Sequence, residues 1–242
     1  MKKIVIYTAL FGNYDVLSSP INLSKDFDYI CFTDKPKKIQ SPWMVKFIKP
    51  IYKPSKMNRM IKINPHLFLK KYEISIYLDS NVFLISDPKK LIKKFLNKKD
   101  IVAPLHRYRK DFKEEINAIE SYSRLNPSIG KKIRKIYKYE INQVKINWLT
   151  ENRLLIRRHN KKRIINLMNS WWKEYLKGIT RDQVSFPIVC YRNKIKPGFI
   201  KSYIRYIDCF LVKPHRSSNF YWQAQYIIFF KLYQLILTLL KK

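Results

Sequence analysis

Glycine is scarce in this chain of 242 residues, which contains only four. The glycine-rich turn of dinucleotide-binding proteins and the phosphate loop of the Walker type both need several glycines within a few residues. Gly12, Gly130, Gly178 and Gly198 are too far apart to build either turn. The sequence therefore excludes two common ways of binding a nucleotide.

Cysteine is also rare, and Cys31, Cys190 and Cys209 are isolated from one another. None of them stands in a paired spacing suited to zinc, and three cysteines cannot form a dense disulfide framework. We therefore expect the protein to work in a reducing compartment.

Acidic residues are few: 17 Asp and Glu stand against 50 Lys and Arg, which gives a net charge of +33. Three explanations compete, namely nucleic-acid binding, an anionic membrane surface, and a compositional bias that fills the surface with solvated lysines. The charge is spread along the chain, without a helix-turn-helix, zinc-finger or aromatic RNA-reading signature. This disfavours nucleic acid and leaves the other two explanations open.

Long uninterrupted apolar runs are missing, even from the strongly apolar C-terminal stretch 221–242, which Lys231 and Gln234 interrupt. A membrane-spanning helix needs about 20 predominantly apolar residues. We predict an amphipathic helix that lies on a membrane surface, while packing against the protein's own core or a dimer partner is the alternative. The chain then divides into a folded domain, 1–220, and this C-terminal helix, 221–242.

What is present is an alternation of strand-like and helical segments, which predicts an α/β sheet with helices on both faces. Strands are expected at 3–8, 28–32, 44–48, 74–78, 101–103 and 153–157. The lysines and apolar run at the N-terminus resemble an export signal, but the run ends at Gly12 without a small-residue cleavage pattern. We therefore expect a first strand and a cytoplasmic active site.

Helical segments are expected between these strands. A charged stretch at 111–141 is broken at Asn126 and Pro127, which suggests two short helices. Asn160 is a candidate cap for a helix that ends before Gly178, and Thr180 is a candidate cap for the next helix.

Two oxygen-bearing side chains, Asp79 and Asn81, directly follow the apolar strand at 74–78. The carboxyl ends of strands in an open α/β sheet border the ligand crevice. Carboxylate and amide oxygens suit a hard cation such as Mg²⁺ or Mn²⁺, which could neutralise a diphosphate leaving group. The alternative is a strand that ends in an ordinary polar turn.

Around this turn the chain resembles the GT-A glycosyltransferases, and most closely the small glycosyltransferase-like family known from plant mucilage synthesis and from bacteria. The resemblance covers most of residues 3–190. It rests on Tyr7-Thr-Ala-Leu-Phe-Gly-Asn-Tyr-Asp15, Ile30-Cys-Phe-Thr-Asp34, Arg59 with Lys62 and Pro65-His66, Ser75-Ile-Tyr-Leu-Asp-Ser-Asn81, Ile156-Arg-Arg-His-Asn160 and Arg181-Asp-Gln-Val-Ser-Phe186.

The resemblance implies a GT-A-like nucleotide-binding sheet and a nucleotide-diphosphate-sugar donor. The residues expected to bind the donor are Thr8, Phe11, Gly12, Tyr14, Asp34, Arg59, Lys62, Asp79, Ser80, Arg158 and Arg181. Arg59 and Lys62 are three residues apart, so on a helix they share a face and could grip the diphosphate together. For the aromatic residues core packing is the alternative, for Asp34 a turn, and for the lysines solvated surface.

The metal site implied by the resemblance consists of Asp79, Asn81 and His215, with Mn²⁺ or Mg²⁺. Asn81 stands where the family pattern of Asp-any-Asp has a second carboxylate. An amide keeps an oxygen donor but loses a charge, so we expect weak metal binding or neutralisation of the diphosphate by Arg and Lys instead.

The predicted catalytic residues are Asp182, Gln183 and His159. Asp182, near a helix start, could orient an acceptor hydroxyl, act as general base or stabilise an oxocarbenium-like charge, or simply interact with the helix dipole. His159 follows a strand, as catalytic residues in α/β sheets often do. Weaker candidates are His66 and His106, with Arg107 and Arg109 nearby.

The sequence thus predicts a membrane-associated glycosyltransferase at the inner face of the membrane. It would move a sugar to a glycan or a lipid-linked acceptor in surface polysaccharide assembly. Two other classes stay open: a catalytically weak subunit that binds nucleotide sugar or glycan, and a basic nucleic-acid-binding protein.

Overall fold

The structure of the chain is a computed structural model. It describes residues 3–12, 14–15, 17, 19–20, 24–36, 39, 41–121, 127–201, 209–213 and 228. His215 and, apart from Ile228, the predicted C-terminal helix lie outside the described residues.

The described strands and helices alternate along the chain as predicted. The strands are β1 (Ile4–Leu10), β2 (Phe27–Thr33), β3 (Met44–Phe47), β4 (Ile74–Leu78), β5 (Val82–Leu84), β6 (Ile101–Pro104), β7 (Leu154–Arg157), β8 (Gly198–Ile200) and β9 (Phe210–Val212). The helices are α1 (Pro54–Ile63), α2 (Pro65–Phe68), α3 (Lys89–Leu96), α4 (Phe112–Ser121), α5 (Pro127–Ile136), α6 (Lys138–Gln143), α7 (Lys162–Leu176) and α8 (Asp182–Arg192). All six predicted strands are present, while β5, β8 and β9 were not predicted.

A seven-stranded sheet with the order β3-β2-β1-β4-β7-β6-β8 forms the centre of the described structure, and β5 pairs with β9 in a separate ribbon. β1 runs parallel to β2 and β4, and β6 runs parallel to β8. β7 alone is antiparallel to its neighbours β4 and β6. The carboxyl ends of β1, β2, β4 and β6 therefore meet at one edge of the sheet, whereas β7 begins at that edge and ends at the other.

Apolar side chains cover both faces of the sheet, as the predicted α/β class requires. Alternate residues of β1 point to opposite faces, so Val5 and Tyr7 join one buried cluster while Ile6 joins another. The first cluster includes residues of α1, α7 and α8, and the second includes residues of α3. A third cluster joins α4, α5 and α8.

Trp171 of α7 fixes the position of α8. Its side chain is fully buried, its ring lies 4.5 Å from that of Phe186, and its Nε1–H donates to the Ser185 hydroxyl at 3.1 Å. Both partners belong to α8, whose first residue is Asp182. The packing of an aromatic core thus sets where the start of α8 lies.

Two predicted helix caps are wrong. Asn160 precedes the N-cap residue Lys161, and its amide instead donates to the carbonyl oxygens of Lys70 and Tyr72 at 2.9 and 2.8 Å. The N-cap of α8 is Arg181 rather than Thr180. Gly178 does follow the end of α7, with a φ of 87° that favours glycine.

Among the helices that the structure describes, none has the length and apolar character needed to cross a membrane.

Candidate active site

A cleft of about 510 Å³ opens at the edge of the sheet where the carboxyl ends of β1, β4 and β6 meet. One side is lined by residues of the β1 turn, α1 and the β4 turn, which include Phe11, Tyr14, Asn58, Arg59, Lys62, Asp79 and Ser80. The other side is lined by residues after β6, before β7 and at the start of α8, which include His106, Tyr108, Arg109, Glu151, Asn152, Arg153, Arg181, Asp182 and Gln183.

Lys62 lies at the centre of a buried ionic network in this cleft. Its side chain is 2% exposed, and its Nζ lies 2.7 Å from Asp182 Oδ2 and 3.8 Å from Asp79 Oδ1. Arg59, one helical turn earlier, approaches Asp182 Oδ1 with Nε at 3.6 Å. Two cations from α1 therefore face two carboxylates, one from the end of β4 and one from the start of α8.

The two carboxylates are held in their ionised form. Burial tends to raise the pKa of Asp182, but the charges of Arg59 and Lys62 outweigh it, so this pKa lies well below its ordinary value. The pKa of Asp79 is also lowered, because Lys62 and Arg59 overcome the effect of burial. A carboxylate with so low a pKa is a poor general base while its ion pairs persist, since a base works best with a pKa near the operating pH.

This network predicts a specific dependence of stability on pH. The folded-state pKa of Asp182 lies below the ordinary 3.8, so the ion pairs stabilise the fold fully above pH about 5 and lose this effect as the pH falls below about 4. We expect the melting-temperature difference between wild type and Asp182→Asn to be constant from pH 7 to 5 and to shrink towards pH 3. A difference that grows on acidification would contradict the lowered pKa.

Neutral side chains hold the network in place. The Tyr77 hydroxyl donates to Asp79 Oδ1 at 2.8 Å, and Asn58 Oδ1 accepts a hydrogen bond from Arg59 at 2.6 Å. The Asn58 amide in turn donates to the carbonyl oxygen of Ala9, also at 2.6 Å. Residues of β1, α1 and β4 thus fix Arg59 and Asp79 before any ligand arrives.

Four residues in and after β1 that were predicted to bind the donor have different environments in the structure. Phe11 and the 63% exposed Tyr14 line the cleft. Gly12, with a φ of 69°, donates its N–H to both carboxylate oxygens of Asp34 at 3.0 and 3.2 Å, so Asp34 holds the turn that follows β1. Thr8 is fully buried within β1, which removes it from direct contact with a ligand.

The acidic turn after β4 brings only part of the predicted metal set into the cleft. Asp79 and Ser80 line it, whereas Asn81 is 1% exposed and does not. The Asn81 amide donates to the carbonyl oxygen of Lys213 at 3.0 Å, and the Lys213 N–H donates to the Asn81 carbonyl at 2.8 Å. Asn81 thus joins the acidic turn to the end of β9.

The predicted metal set can be tested on this geometry. The described residues contain no group of three His, Cys, Asp or Glu side chains placed to hold a metal ion. Tyr77 and Lys62 both approach the Oδ1 atom of the Asp79 carboxylate. Among the predicted ligands that the structure describes, Asp79 lines the cleft and fits a cation, which would need further oxygen ligands from the donor phosphates.

Arg158 and His159 are placed away from the cleft, which corrects their predicted roles. They follow β7, and this strand runs antiparallel, so its carboxyl end lies at the opposite edge of the sheet. The buried His159 bonds through Nε2 to the Leu69 carbonyl at 3.0 Å, and burial with the nearby Arg157 lowers its pKa to about 4. Arg158 bonds to carbonyl oxygens of Leu96 and Lys99, so both residues are structural.

The β6–β7 side of the cleft contains Arg153, which the sequence analysis missed, and Arg109, which it ranked low, beside Arg181, which it assigned to the donor. Arg109, Arg153 and Arg181, here called the arginine wall, all line it. Glu115 of α4, 1% exposed, bonds to Arg109 at 2.8 Å and to Arg181 at 2.7 Å. No spacing in the sequence indicates this arrangement, although the reversed direction of β7 explains why Arg153 lies at the cleft.

The comparisons with known proteins place the chain in a family. The family model described as TOD1/MUCI70, glycosyltransferase-like domain, matches residues 33–213, about three quarters of the chain. No curated protein matches the chain. A crystal structure of the galactosyltransferase LgtC in complex with donor and acceptor sugar analogs aligns with 84% of this chain and 74% of that chain, at 11% identity and a TM-score of 0.47. The extent of the family match shows that the chain belongs to the TOD1/MUCI70 family of glycosyltransferase-like domains.

Proposed function

We propose that this protein transfers a hexose from a nucleotide-diphosphate sugar to a glycan or lipid-linked acceptor in surface polysaccharide biosynthesis. The observation that carries the proposal is the buried network in which Lys62 and Arg59 face Asp79 and Asp182 in the cleft. Membership of a glycosyltransferase-like family supports the reaction class.

The donor would lie along the side of the cleft formed by β1, α1 and β4. Tyr14 is exposed there and can stack on a base, whereas the Phe11 side chain is 2% exposed and packs in the core. Lys62 and Arg59 can neutralise the charge that develops on the diphosphate as the sugar leaves. Cations already fixed in a water-poor site do this with little reorganisation.

Asp182 would act on the sugar as a fixed negative charge. Its low pKa keeps it ionised, which suits stabilisation of an oxocarbenium-like transition state and orientation of a hydroxyl. When donor phosphates compete for Lys62 and Arg59, the ion pairs of Asp182 weaken and its pKa rises, which makes it a better proton acceptor. Gln183 lies beside it in the cleft and can hold a sugar hydroxyl.

A divalent cation, Mn²⁺ or Mg²⁺, is part of the proposal with Asp79 as its protein ligand. Such an ion would add positive charge at the diphosphate. Asn81 faces Lys213 rather than the cleft, so the protein offers one carboxylate where the family pattern has two.

We also propose a cytoplasmic location at the inner face of the membrane. The net charge of +33 supports this, because anionic lipids attract basic proteins. Lysines such as Lys90, Lys94 and Lys98, on and after α3, are exposed and available for such contacts.

Donor binding is tested by thermal shift with UDP-, GDP-, CMP- and dTDP-sugars, with and without Mn²⁺. A donor at 100 times its Kd should stabilise the fold by about 2.7 kcal/mol and raise the melting temperature by several degrees. We expect Asp79→Asn to abolish the metal-dependent part of the shift. Asp26→Asn, which changes an exposed carboxylate outside the cleft, should leave the shift intact.

An assay of free nucleotide released from the same donors separates the alternatives. Donor binding with slow release of free nucleotide supports an enzyme. Donor binding without any release favours the hypothesis of a catalytically weak subunit that binds nucleotide sugar. A folded wild type that responds to none of the donors overturns the proposed function.

A further inference from the structure

The arginine wall concentrates positive charge on one side of the cleft. Its members come from three segments: Arg109 follows β6, Arg153 precedes β7 and Arg181 precedes α8. Their side chains are 21%, 34% and 39% exposed, respectively, so each reaches the cleft without being free in solvent.

Two buried carboxylates pair with these arginines. Glu115 pairs with both Arg109 and Arg181, and Glu151 pairs with Arg153 Nε at 3.1 Å. Three guanidinium groups thus share two carboxylates. Because a guanidinium has five N–H donors, each arginine keeps donors for a ligand after its ion pair is made.

The remainder of the cleft has no such excess of positive charge. On the β1–α1–β4 side and at the start of α8, the two cations Arg59 and Lys62 meet the two carboxylates Asp79 and Asp182. The uncompensated positive charge therefore comes from the β6–β7 side of the cleft. Arg153 on that side adjoins the turn after β4, because its carbonyl oxygen accepts the Asp79 N–H at 2.9 Å.

The charges of the arginine wall affect the protonation of His106. Burial and then the charges of Arg109, Arg181 and Arg153 lower its pKa to about 4, so the ring is neutral at physiological pH. Its Nδ1 accepts the backbone N–H groups of Tyr108 and Arg109 at 3.2 and 3.1 Å. The proton of the neutral ring is thus on Nε2, which makes this atom a donor for a sugar hydroxyl.

We infer that the arginine wall and His106 form the acceptor subsite, and that the acceptor carries a carboxylate or phosphate beside the sugar that receives the new bond. This inference rests on the proposed function. An anion can form paired hydrogen bonds to guanidinium groups that are already oriented, which gives both affinity and direction. A uronic acid of a glycan and the diphosphate of a lipid carrier share this chemistry.

The test compares three soluble probes by calorimetry at about 0.15 M salt, where diffuse charge is screened. The probes are a neutral hexose trisaccharide, the matching hexuronic acid trisaccharide and a short-chain prenyl diphosphate sugar. We expect at least one charged probe to bind more tightly than the neutral one by about tenfold, and the tighter of the two identifies the source of the anion.

Substitutions then locate the binding. Arg109→Gln leaves Glu115 paired with Arg181. Arg153→Gln does not affect that pair, because Arg153 pairs with Glu151 instead. Each should weaken the charged probe by about tenfold and leave the neutral probe unchanged. Arg163→Gln is the matched control, because Arg163 is 58% exposed on α7, pairs with Asp100 and does not line the cleft.

Equal binding of neutral and charged probes, or an equal loss in Arg163→Gln, would overturn the inference. So would a loss of nucleoside diphosphate binding in Arg109→Gln and Arg153→Gln as large as that in Arg59→Gln, because the arginine wall would then serve the donor. If no nucleoside diphosphate binds to wild type while the arginine-dependent binding of anions persists, the proposed function fails and the anion site stands.

Discussion

Replacing Lys62 by methionine should lower kcat of the proposed transfer reaction by about 10²- to 10³-fold. The ammonium group that touches Asp182 and approaches Asp79 would be lost, and two carboxylates would remain close together in a buried site. One of them should then take up a proton, since like charges disfavour ionisation of both. The free energy of unfolding should fall by about 3–5 kcal/mol, measured by chemical denaturation.

A double substitution separates the two effects. Lys62→Met with Asp182→Asn removes the carboxylate that lost its Lys62 partner, so much of the lost stability should return while activity stays low. Lys173→Met, at an exposed position of α7, should change neither. Normal turnover in a folded Lys62→Met protein would show that the network does not act on the donor.

Trp171→Ala should also lower the free energy of unfolding by about 3–5 kcal/mol, because it empties a fully buried site and leaves the Ser185 hydroxyl without its indole partner. Since Trp171 packs on α8, the start of this helix should also shift, and Asp182 with it. We expect kcat to fall more than donor affinity among molecules that remain folded. Thermal unfolding and steady-state kinetics below the melting temperature measure the two effects.

The neighbouring Trp172 provides a matched control. It is only partly buried and stacks on Tyr175 at 5.4 Å. Trp172→Ala removes the same number of atoms from the same helix, yet it should cost about 1 kcal/mol. Equal losses at the two positions would mean that the contact between α7 and α8 does not govern stability.

Six of the nine described strands could be predicted, because each of the six is a short, apolar run bounded by turn residues. The position of Asp79 at a sheet edge followed from β4 alone. The direction of β7 could not be predicted, because its residues do not show whether it runs parallel or antiparallel to its neighbours. That one reversal places His159 and Arg158 at the far edge and brings Arg153 to the cleft.

Contacts between distant parts of the chain account for the other differences. The position of Glu115 gives no hint of its bond to Arg181, which is 66 residues later in the sequence. Asn81 was predicted to face a metal from its place in the motif, but its amide bonds to β9, a strand that sequence patterns did not reveal. Lys62 was expected at the donor site, whereas its burial between two carboxylates depends on how α8 packs.

The paired hydrogen bonds between Asn81 and Lys213 join positions 132 residues apart, and they affect how the protein should be handled in the laboratory. A tag or surface linkage attached soon after Lys213 would be tethered close to the turn that carries Asp79, and a pulling force there would act on this turn first. Attachment through exposed lysines of α7, such as Lys173, would apply the load elsewhere. Single-molecule or sensor experiments should therefore be anchored through α7.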